Sequence, residues 1–254
     1  MNSGMILHIV LGALLLAVPV GALYLFDRKI LGSFLIATGR MVVQLLVLCL
    51  MVWALMKYDH WWMSLLWIVA MTGYSAFTVV HKLKHVSRGM MIPVGLGLLV
   101  GTLSVGFYLL LFSLPVERVF EPRWLIPVTM LLLGHSLTTT LRGMKTYLSA
   151  LKSDEERYEF LRGNGASHLK AVMPFVRRAF QTLMSPTIAN LQTTALYAMP
   201  LLLCGFLMAG IQPENAFVVM LLLVVGCVAA SVVSLVVSIW LADGKLFDNF
   251  GKLR

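Results

Sequence analysis

The sequence predicts an all-α, polytopic membrane protein with about seven transmembrane helices. The 254 residues are 59% hydrophobic and only 12% charged, whereas an average soluble domain has about 25% charged residues. All 11 acidic residues lie between long apolar runs. A bilayer imposes this distribution, because a charge at its centre costs at least about 2.5 kcal/mol. Nearly every stretch long enough to fold by itself is an apolar run, so we expect a single membrane domain over residues 1–254.

Seven apolar runs account for most of the chain. Each has about 18 to 27 residues, enough for a helix that rises about 1.5 Å per residue to cross a hydrocarbon core of about 30 Å. The strands of a membrane barrel are about half as long and alternate in polarity. A signal peptide has basic residues before its apolar region, whereas no Lys or Arg precedes the first run. We therefore expect this run to be retained as a span. The predicted spans are residues 5–25, 34–56, 61–80, 91–114, 124–141, 183–208 and 215–241.

The basic residues predict the orientation of these spans. Of the 20 Lys and Arg residues, only Lys57, Arg118 and Arg123 lie on the side reached after spans two, four and six. Since cytoplasmic loops carry the excess of basic residues, we expect the N-terminus outside, the C-terminus in the cytoplasm and a multi-pass protein of the cytoplasmic (inner) membrane. The net charge of +9 does not form a stripe that follows a phosphate backbone, so we expect no nucleic-acid partner.

The polar segment between spans five and six predicts a short helix over residues 152–162. Ser153 or Asp154 is suited to its N-terminal cap, and acids follow in the first turn, where the helix dipole favours them. Residues 163–165, Gly-Asn-Gly, predict its end, and Ser167 predicts the start of another helix. The alternative is a solvated charged loop near lipid headgroups. We expect the helix to lie across the inner mouth of the bundle and to expose Tyr158, Phe160 and Leu161.

Polar side chains recur on one face of three predicted spans. In span six they are spaced i, i+3, i+7 and i+10 and are followed by a proline that can kink the helix; in spans two and five they are spaced i, i+4. Two copies of the chain would enclose a cavity between such faces. The alternative is that these polar side chains form hydrogen bonds between helices. His135, the one histidine deep in a predicted span, is either a core residue or one ligand of a metal site. The candidate pathway residues are Arg40, Gln44, His135, Thr187, Asn190, Thr194, Tyr197 and Pro200.

Two absences bear on the source of energy. The sequence contains no G-x-x-x-x-G-K-[ST] loop for nucleotide phosphates, so we expect no nucleotide or other cofactor on this chain. The predicted spans also contain no carboxylate, which proton- or sodium-driven carriers usually place there. No H-E-x-x-H sequence, carboxylate pair or nucleophile beside a base suggests an enzyme. The missing nucleotide-binding loop and the missing carboxylates both favour energy supplied by a separate ATPase.

The short helix also carries a sequence resemblance. Glu159-Phe160-Leu161, three residues and then Gly165-Ala166 resemble the E-A-A-x-x-x-G loop of ABC transporter permeases, with Phe160 and Leu161 in place of the two alanines. Gly39-Arg40 with Gln44-Leu45, Ile126-Pro127 and the segment from Met199 to Pro213 resemble the FetB (YbbM) family of iron-export ABC permease subunits. This resemblance covers essentially the whole chain.

The resemblance implies a non-catalytic permease subunit that pairs as a homodimer in lipid and binds two copies of an ABC ATP-binding subunit, which holds ATP and Mg. The short helix is then the coupling helix that docks into that subunit, and the cargo is a metal ion such as iron. Two alternatives stay open: export of another cargo, such as a sugar nucleotide or an amphiphile, and a standalone channel or carrier. The coupling residues implied by the resemblance are Glu155, Arg157, Tyr158, Glu159, Leu161, Gly165 and Ala166.

Overall fold

The computed structural model describes residues 14–58, 61–83, 88–114, 121–194 and 199–247. Within these ranges every regular element is a helix. A 3-10 turn, Arg88–Met90, precedes the helix Met91–Tyr108, and a π-helical segment, Leu109–Ser113, follows it directly. The helices are α1 Ala17–Phe26, α2 Arg28–Tyr58, α3 Trp61–Lys82, α4 Met91–Tyr108, α5 Pro122–Ser153, α6 Glu155–Gly163, α7 His168–Gln192, α8 Met199–Met208 and α9 Pro213–Leu246.

Five described helices are long and apolar enough to cross a membrane, which confirms a multi-pass helical protein. They correspond to predicted spans two, three, four, five and seven. The first predicted span is represented only by the ten-residue α1, and residues 1–13 lie outside the described part. The sixth falls on the end of α7 and on α8, with residues 195–198 also outside it. The count of seven and the orientation stay predictions. The spanning segments are Arg28–Lys57, Trp62–Lys82, Met91–Ser113, Trp124–Ser153 and Pro213–Leu246.

The polar segment between predicted spans five and six is more helical than the hydropathy suggests. Helix α5 continues well beyond residue 141 to Ser153, and α7 begins at His168, far ahead of the sixth apolar run. Burial stabilises the polar ends of both helices, because Tyr147 and Leu151 on α5 and Phe175 on α7 are almost fully buried. The connection between the two helices is therefore reduced to α6 and two short turns.

The chain forms two compact units, residues 1–57 and 58–254. The first contains α1 and nearly all of α2, which are separated by a break at Asp27. The backbone there is extended, with φ −154°. The Asp27 side chain accepts a hydrogen bond from the Lys29 amide at 2.9 Å, so it caps the start of α2.

The most extensive helix packing among the described residues of the second unit is between α4 and α9. Gly97 and Gly101 are spaced i, i+4 and face Ser234 and Ser238, which have the same spacing. A Cβ atom at Gly97 would overlap the Ser238 side chain and lie 2.8 Å from the Ser234 carbonyl oxygen. Small residues at this spacing let two backbones approach within a membrane. The contact fixes α9 against α4.

Two apolar clusters fill the second unit. One surrounds the region where α5, α6, α7 and α9 meet, and includes Tyr147, Phe175 and Leu235. The other lies around the π-helical segment and the start of α5, and includes Leu110 and Leu125. The first cluster contains the only part of α6 that is buried, Tyr158, so it positions the short helix.

We expect Gly97→Ala to lower the thermal unfolding midpoint of the purified protein in detergent. The new methyl group collides with backbone atoms of α9, and overpacking of this kind costs about 1–3 kcal/mol. Gly134→Ala is the matched control, because a Cβ at this helical position meets no described atom within 4 Å. Equal midpoints for the two variants would contradict the close approach of α4 and α9.

Candidate functional site

Helix α6 ends in a turn that requires a glycine. Gly165 has φ +80°, its amide donates to the Arg162 carbonyl at 3.0 Å, and the Ala166 amide donates to the Leu161 carbonyl at 3.0 Å. This pair of bonds is the Schellman arrangement, which satisfies the last carbonyls of a helix. The predicted end of the short helix at residues 163–165 is confirmed.

The start of α6 differs from the sequence prediction in detail. Asp154 occupies the N-cap position, but its side chain makes no capping hydrogen bond. Its carboxylate instead accepts a hydrogen bond from the Arg178 guanidinium on α7, with an N–O distance of 2.7 Å. Ser153 donates to the Ala150 carbonyl and does not cap α6 either. The charge pair joins the start of α6 to α7.

The expectation that Tyr158 is exposed is wrong. Tyr158 is only 2% exposed and its ring lies 4.8 Å from that of Phe247, because α6 packs this face against the ends of α7 and α9. Phe160 is 70% exposed, as expected, and Leu161 is partly buried. Of the other proposed coupling residues, Ala166 is half-buried and the rest are exposed: Glu155, Arg157, Glu159 and Gly165.

Tyr158 belongs to a hydrogen-bonded chain of four side chains, which we call the polar cluster: Tyr147, Tyr158, His168 and Asp243. The Tyr147 hydroxyl donates to Asp243 Oδ1 at 2.7 Å. His168 Nε2 lies 2.8 Å from Asp243 Oδ2 and His168 Nδ1 lies 2.9 Å from the Tyr158 hydroxyl. The cluster therefore joins four helices, α5, α6, α7 and α9, through side chains distant in sequence.

The chemistry of the groups assigns the hydrogen bonds in the polar cluster. An ionised Asp243 only accepts, so His168 Nε2 carries a proton and donates it. Burial raises the pKa of the Tyr158 phenol, an effect that Arg162 opposes and Asp243 reinforces, so the hydroxyl is protonated at neutral pH. In the tautomer that carries its proton on Nε2, His168 accepts a hydrogen bond from the Tyr158 hydroxyl at Nδ1, and every member of the cluster has a partner.

Phe247 closes the polar cluster on one side. Its ring lies 4.8 Å from the rings of both Tyr158 and His168, and it is 8% exposed. Nearby, Lys245 Nζ donates to the Gly89 carbonyl at 2.7 Å. The end of α9 is therefore held both to α6 and to the turn before α4.

The sequence analysis did not identify the polar cluster. In the sequence, Asp243 follows the predicted span 215–241, and Tyr147 lies in the polar segment between predicted spans five and six. One signal was available: an acid in the last turn of a helix is disfavoured by the helix dipole, so Asp243 needs compensating donors. Which residues supply them depends on packing between helices that sequence spacing does not reveal.

The candidate pathway residues of α5 and α7 are placed as follows. His135 is half-buried, and its Nε2 atom is enclosed with no hydrogen-bond partner among the described residues. Thr187 is buried and donates to the Leu183 carbonyl of its own helix, as Thr194 does to the Asn190 carbonyl at 2.7 Å. Each hydroxyl bonds a carbonyl four residues earlier in the chain, so neither supplies a described bond between helices. Asn190 itself is exposed.

The structure corrects the idea of one continuous polar stripe in span six. Helix α7 ends at Gln192, where Thr193 leaves helical geometry. Helical spacing therefore does not carry from Asn190 to Thr194 and beyond. Tyr197 lies outside the described residues, and Pro200 is exposed near the start of α8.

Two pathway candidates lie in the first unit. Arg40 and Gln44 are exposed on α2, one helical turn apart. Elsewhere, in the ranges that the structure describes, no three His, Cys, Asp or Glu residues are grouped closely enough to hold a metal ion.

Helices of spanning length, two of which are connected by a short surface helix, define a multi-pass membrane protein. The family model described as "Uncharacterised protein family (UPF0014)" matches residues 6–247, and the chain belongs to this family. Membership confirms the predicted resemblance and the membrane location. No solved structure matches the chain.

Several relatives match most of the chain. Protein ALUMINUM SENSITIVE 3 of Arabidopsis thaliana is 26% identical over 88% of this chain and 80% of its own length. The UPF0014 membrane protein STAR2 of Oryza sativa subsp. japonica is 29% identical over 88% of this chain and 77% of its own length. The Probable iron export permease protein FetB of Escherichia coli (strain K12) is 21% identical over 98% of this chain and 95% of its own length.

We expect Tyr158→Phe to lower the unfolding midpoint by the equivalent of about 1 kcal/mol, since it removes one hydrogen bond and keeps the ring contact with Phe247. Asp243→Ala should cost more, because it leaves Tyr147 and His168 without their acceptor. Thermal unfolding in detergent measures both effects. Tyr74→Phe is the control, since Tyr74 is 52% exposed. A midpoint for Tyr158→Phe equal to that of the control would argue against the cluster.

Proposed function

We propose that this chain is the non-catalytic permease subunit of an ABC transporter that exports a metal ion such as iron, using ATP hydrolysed by a separate subunit. The observation that carries this proposal is the construction of α6: a short surface helix, stopped by a glycine turn and tied through the polar cluster to three long helices. Membership of a family with a probable iron export permease supports the cargo. ATP and Mg bind to the partner subunit.

The exposed side of α6 is suited to docking. Phe160 is a large apolar side chain with 70% of its surface exposed, and Arg157 and Glu159 beside it are also exposed. A central apolar anchor with a charged rim is the usual composition of a protein interface. The buried side, Tyr158 and part of Leu161, holds the helix to the bundle, so Tyr158 acts in coupling from within the permease.

A force on α6 reaches the transmembrane helices by two routes. The first route is the hydrogen-bonded chain from Tyr158 through His168 to Asp243 on α9, which also bonds Tyr147 on α5. The second route is the ion pair between Asp154 and Arg178 on α7. Packed elements with direct polar contacts move as rigid bodies, so closure of the ATPase dimer tilts α5, α7 and α9 together between inward-open and outward-open states.

The remaining features of the proposal follow the sequence prediction. The whole chain acts as one permease domain with seven spans, an external N-terminus and a cytoplasmic C-terminus and α6. It works as a homodimer, and polar side chains of spans five and six, which include His135, Thr187 and Asn190, line its pathway. In that pathway His135 has an enclosed nitrogen with no described partner, which makes it the first position to vary.

Reconstitution of the chain with a candidate ABC ATPase subunit tests the function. We expect ATP-dependent movement of ferrous iron into inverted vesicles. In Glu159→Arg the reversed charge opposes docking of the ATPase, and we expect the transport rate to fall about tenfold. Glu156→Arg, on the same helix and also exposed, is the matched control for charge. Full iron flux from the chain without any ATPase would exclude the proposal. ATP hydrolysis that is stimulated by a sugar nucleotide or an amphiphile, and not by iron, would identify that compound as the cargo.

The glycine turn after α6 supplies a second test. Gly165→Ala places a side chain at φ +80°, which costs about 1–2 kcal/mol and misdirects α6. We expect a several-fold loss of permease-stimulated ATP hydrolysis. Gly163→Ala is the control, because Gly163 has helical geometry and a Cβ there meets nothing within 4 Å of the described atoms. Equal stimulation by both variants would show that the turn does not matter for coupling.

A further inference from the structure

Two adjoining surface cavities follow the exposed side of α7. The first, of about 610 Å³, is bounded on α5 by Arg142 and Thr146 and on α7 by residues that include Arg178 and Ser185. The second, of about 590 Å³, lies between Arg157 of α6 and the first turns of α7. Both are lined by Arg178 and Gln181. Together they form one groove, which we call the basic trough.

The charge of the basic trough is one-sided. Its lining includes five cationic side chains and no carboxylate: Arg142, Arg157, Lys170, Arg177 and Arg178. Arg178 is paired with Asp154 at 2.7 Å, whereas the other four cations make no ion pair among the described residues. Such a concentration of unpaired positive charge favours an anion.

The donor groups in the trough suit a phosphate. Arginine presents a planar set of N–H donors that matches phosphate oxygens, commonly two at a time. The hydroxyls of Thr146 and Ser185 line the same cavity as Arg142 and have no hydrogen-bond partner in the described part of the chain. Charge and hydroxyl donors therefore converge on one groove.

Apolar side chains beside these cations indicate a lipid as the source of the phosphate. Leu169 and Met173 line the second cavity with Lys170 and Arg177, and they are 68% and 45% exposed. Toward its C-terminal end α7 exposes Ile188 and Leu191, and Arg142 lies within the spanning segment Trp124–Ser153. A surface that changes from basic to apolar along one helix fits the headgroup boundary of a bilayer.

We propose that the basic trough binds the phosphate of an anionic phospholipid, with the acyl chains lying along the apolar surface of α7. The lipid is recognised by its charge and phosphate oxygens, so a zwitterionic lipid binds more weakly. This inference rests on the chain being a membrane protein and does not depend on the proposed transport function.

Native mass spectrometry of the full chain in detergent tests this proposal, with phosphatidylglycerol, phosphatidylcholine or inorganic phosphate added in turn. We expect retention of phosphatidylglycerol over phosphatidylcholine, and a fall of about tenfold or more in its affinity in the double variant Arg142→Gln/Arg177→Gln. The control double variant, Lys82→Gln/Lys152→Gln, removes the same charge from exposed positions outside the trough and should bind as the unaltered chain does. Arg142→Lys/Arg177→Lys should restore part of the affinity, which separates lost charge from faulty folding.

Several outcomes would overturn the proposal. Equal losses in the trough and control variants would show a general effect of net charge. Binding of inorganic phosphate that requires Arg142 and Arg177, without any preference for phosphatidylglycerol, would assign the site to a soluble anion. Unchanged lipid binding together with loss of a copurifying ATPase would make the trough a protein-docking surface.

Discussion

The arrangement of helices around α6 depends on one carboxylate. Asp243 lies in the last turn of a highly apolar helix, where neither the dipole nor the surroundings favour a negative charge. Its two oxygens are satisfied by Tyr147 and His168, which fixes the ends of α5 and α7 relative to α9. Since His168 also bonds Tyr158, the position of α6 follows from the same requirement.

The glycine–serine contact between α4 and α9 keeps Asp243 where its partners can reach it. Gly97 and Gly101 allow the two backbones to approach until the serine side chains of α9 fill the space where side chains of α4 would lie. Ser238 is just over one helical turn before Asp243, so the contact limits how far the end of α9 can shift. A carboxylate on a loosely held helix would move to solvent rather than hold its neighbours.

The features that could be predicted from the sequence depend on neighbouring residues. Apolar length identified the five long spans, and Gly165 identified the end of α6, because only local conformation is involved. The burial of Tyr158 and the bond between Tyr147 and Asp243, 96 residues apart, depend on tertiary packing and could not be read from spacing. The break after Gln192 was also missed, since the apolar run continues through it.

The long sequence separations within the polar cluster affect how the protein is made. Tyr147, Tyr158 and His168 all leave the ribosome well before Asp243, which is 75 residues after His168. Contacts of this separation form late, since the intervening chain must first be ordered. The link from α6 to α9 therefore forms only after α9 has been inserted, and a nascent chain that lacks α9 holds α6 through its contacts with α7.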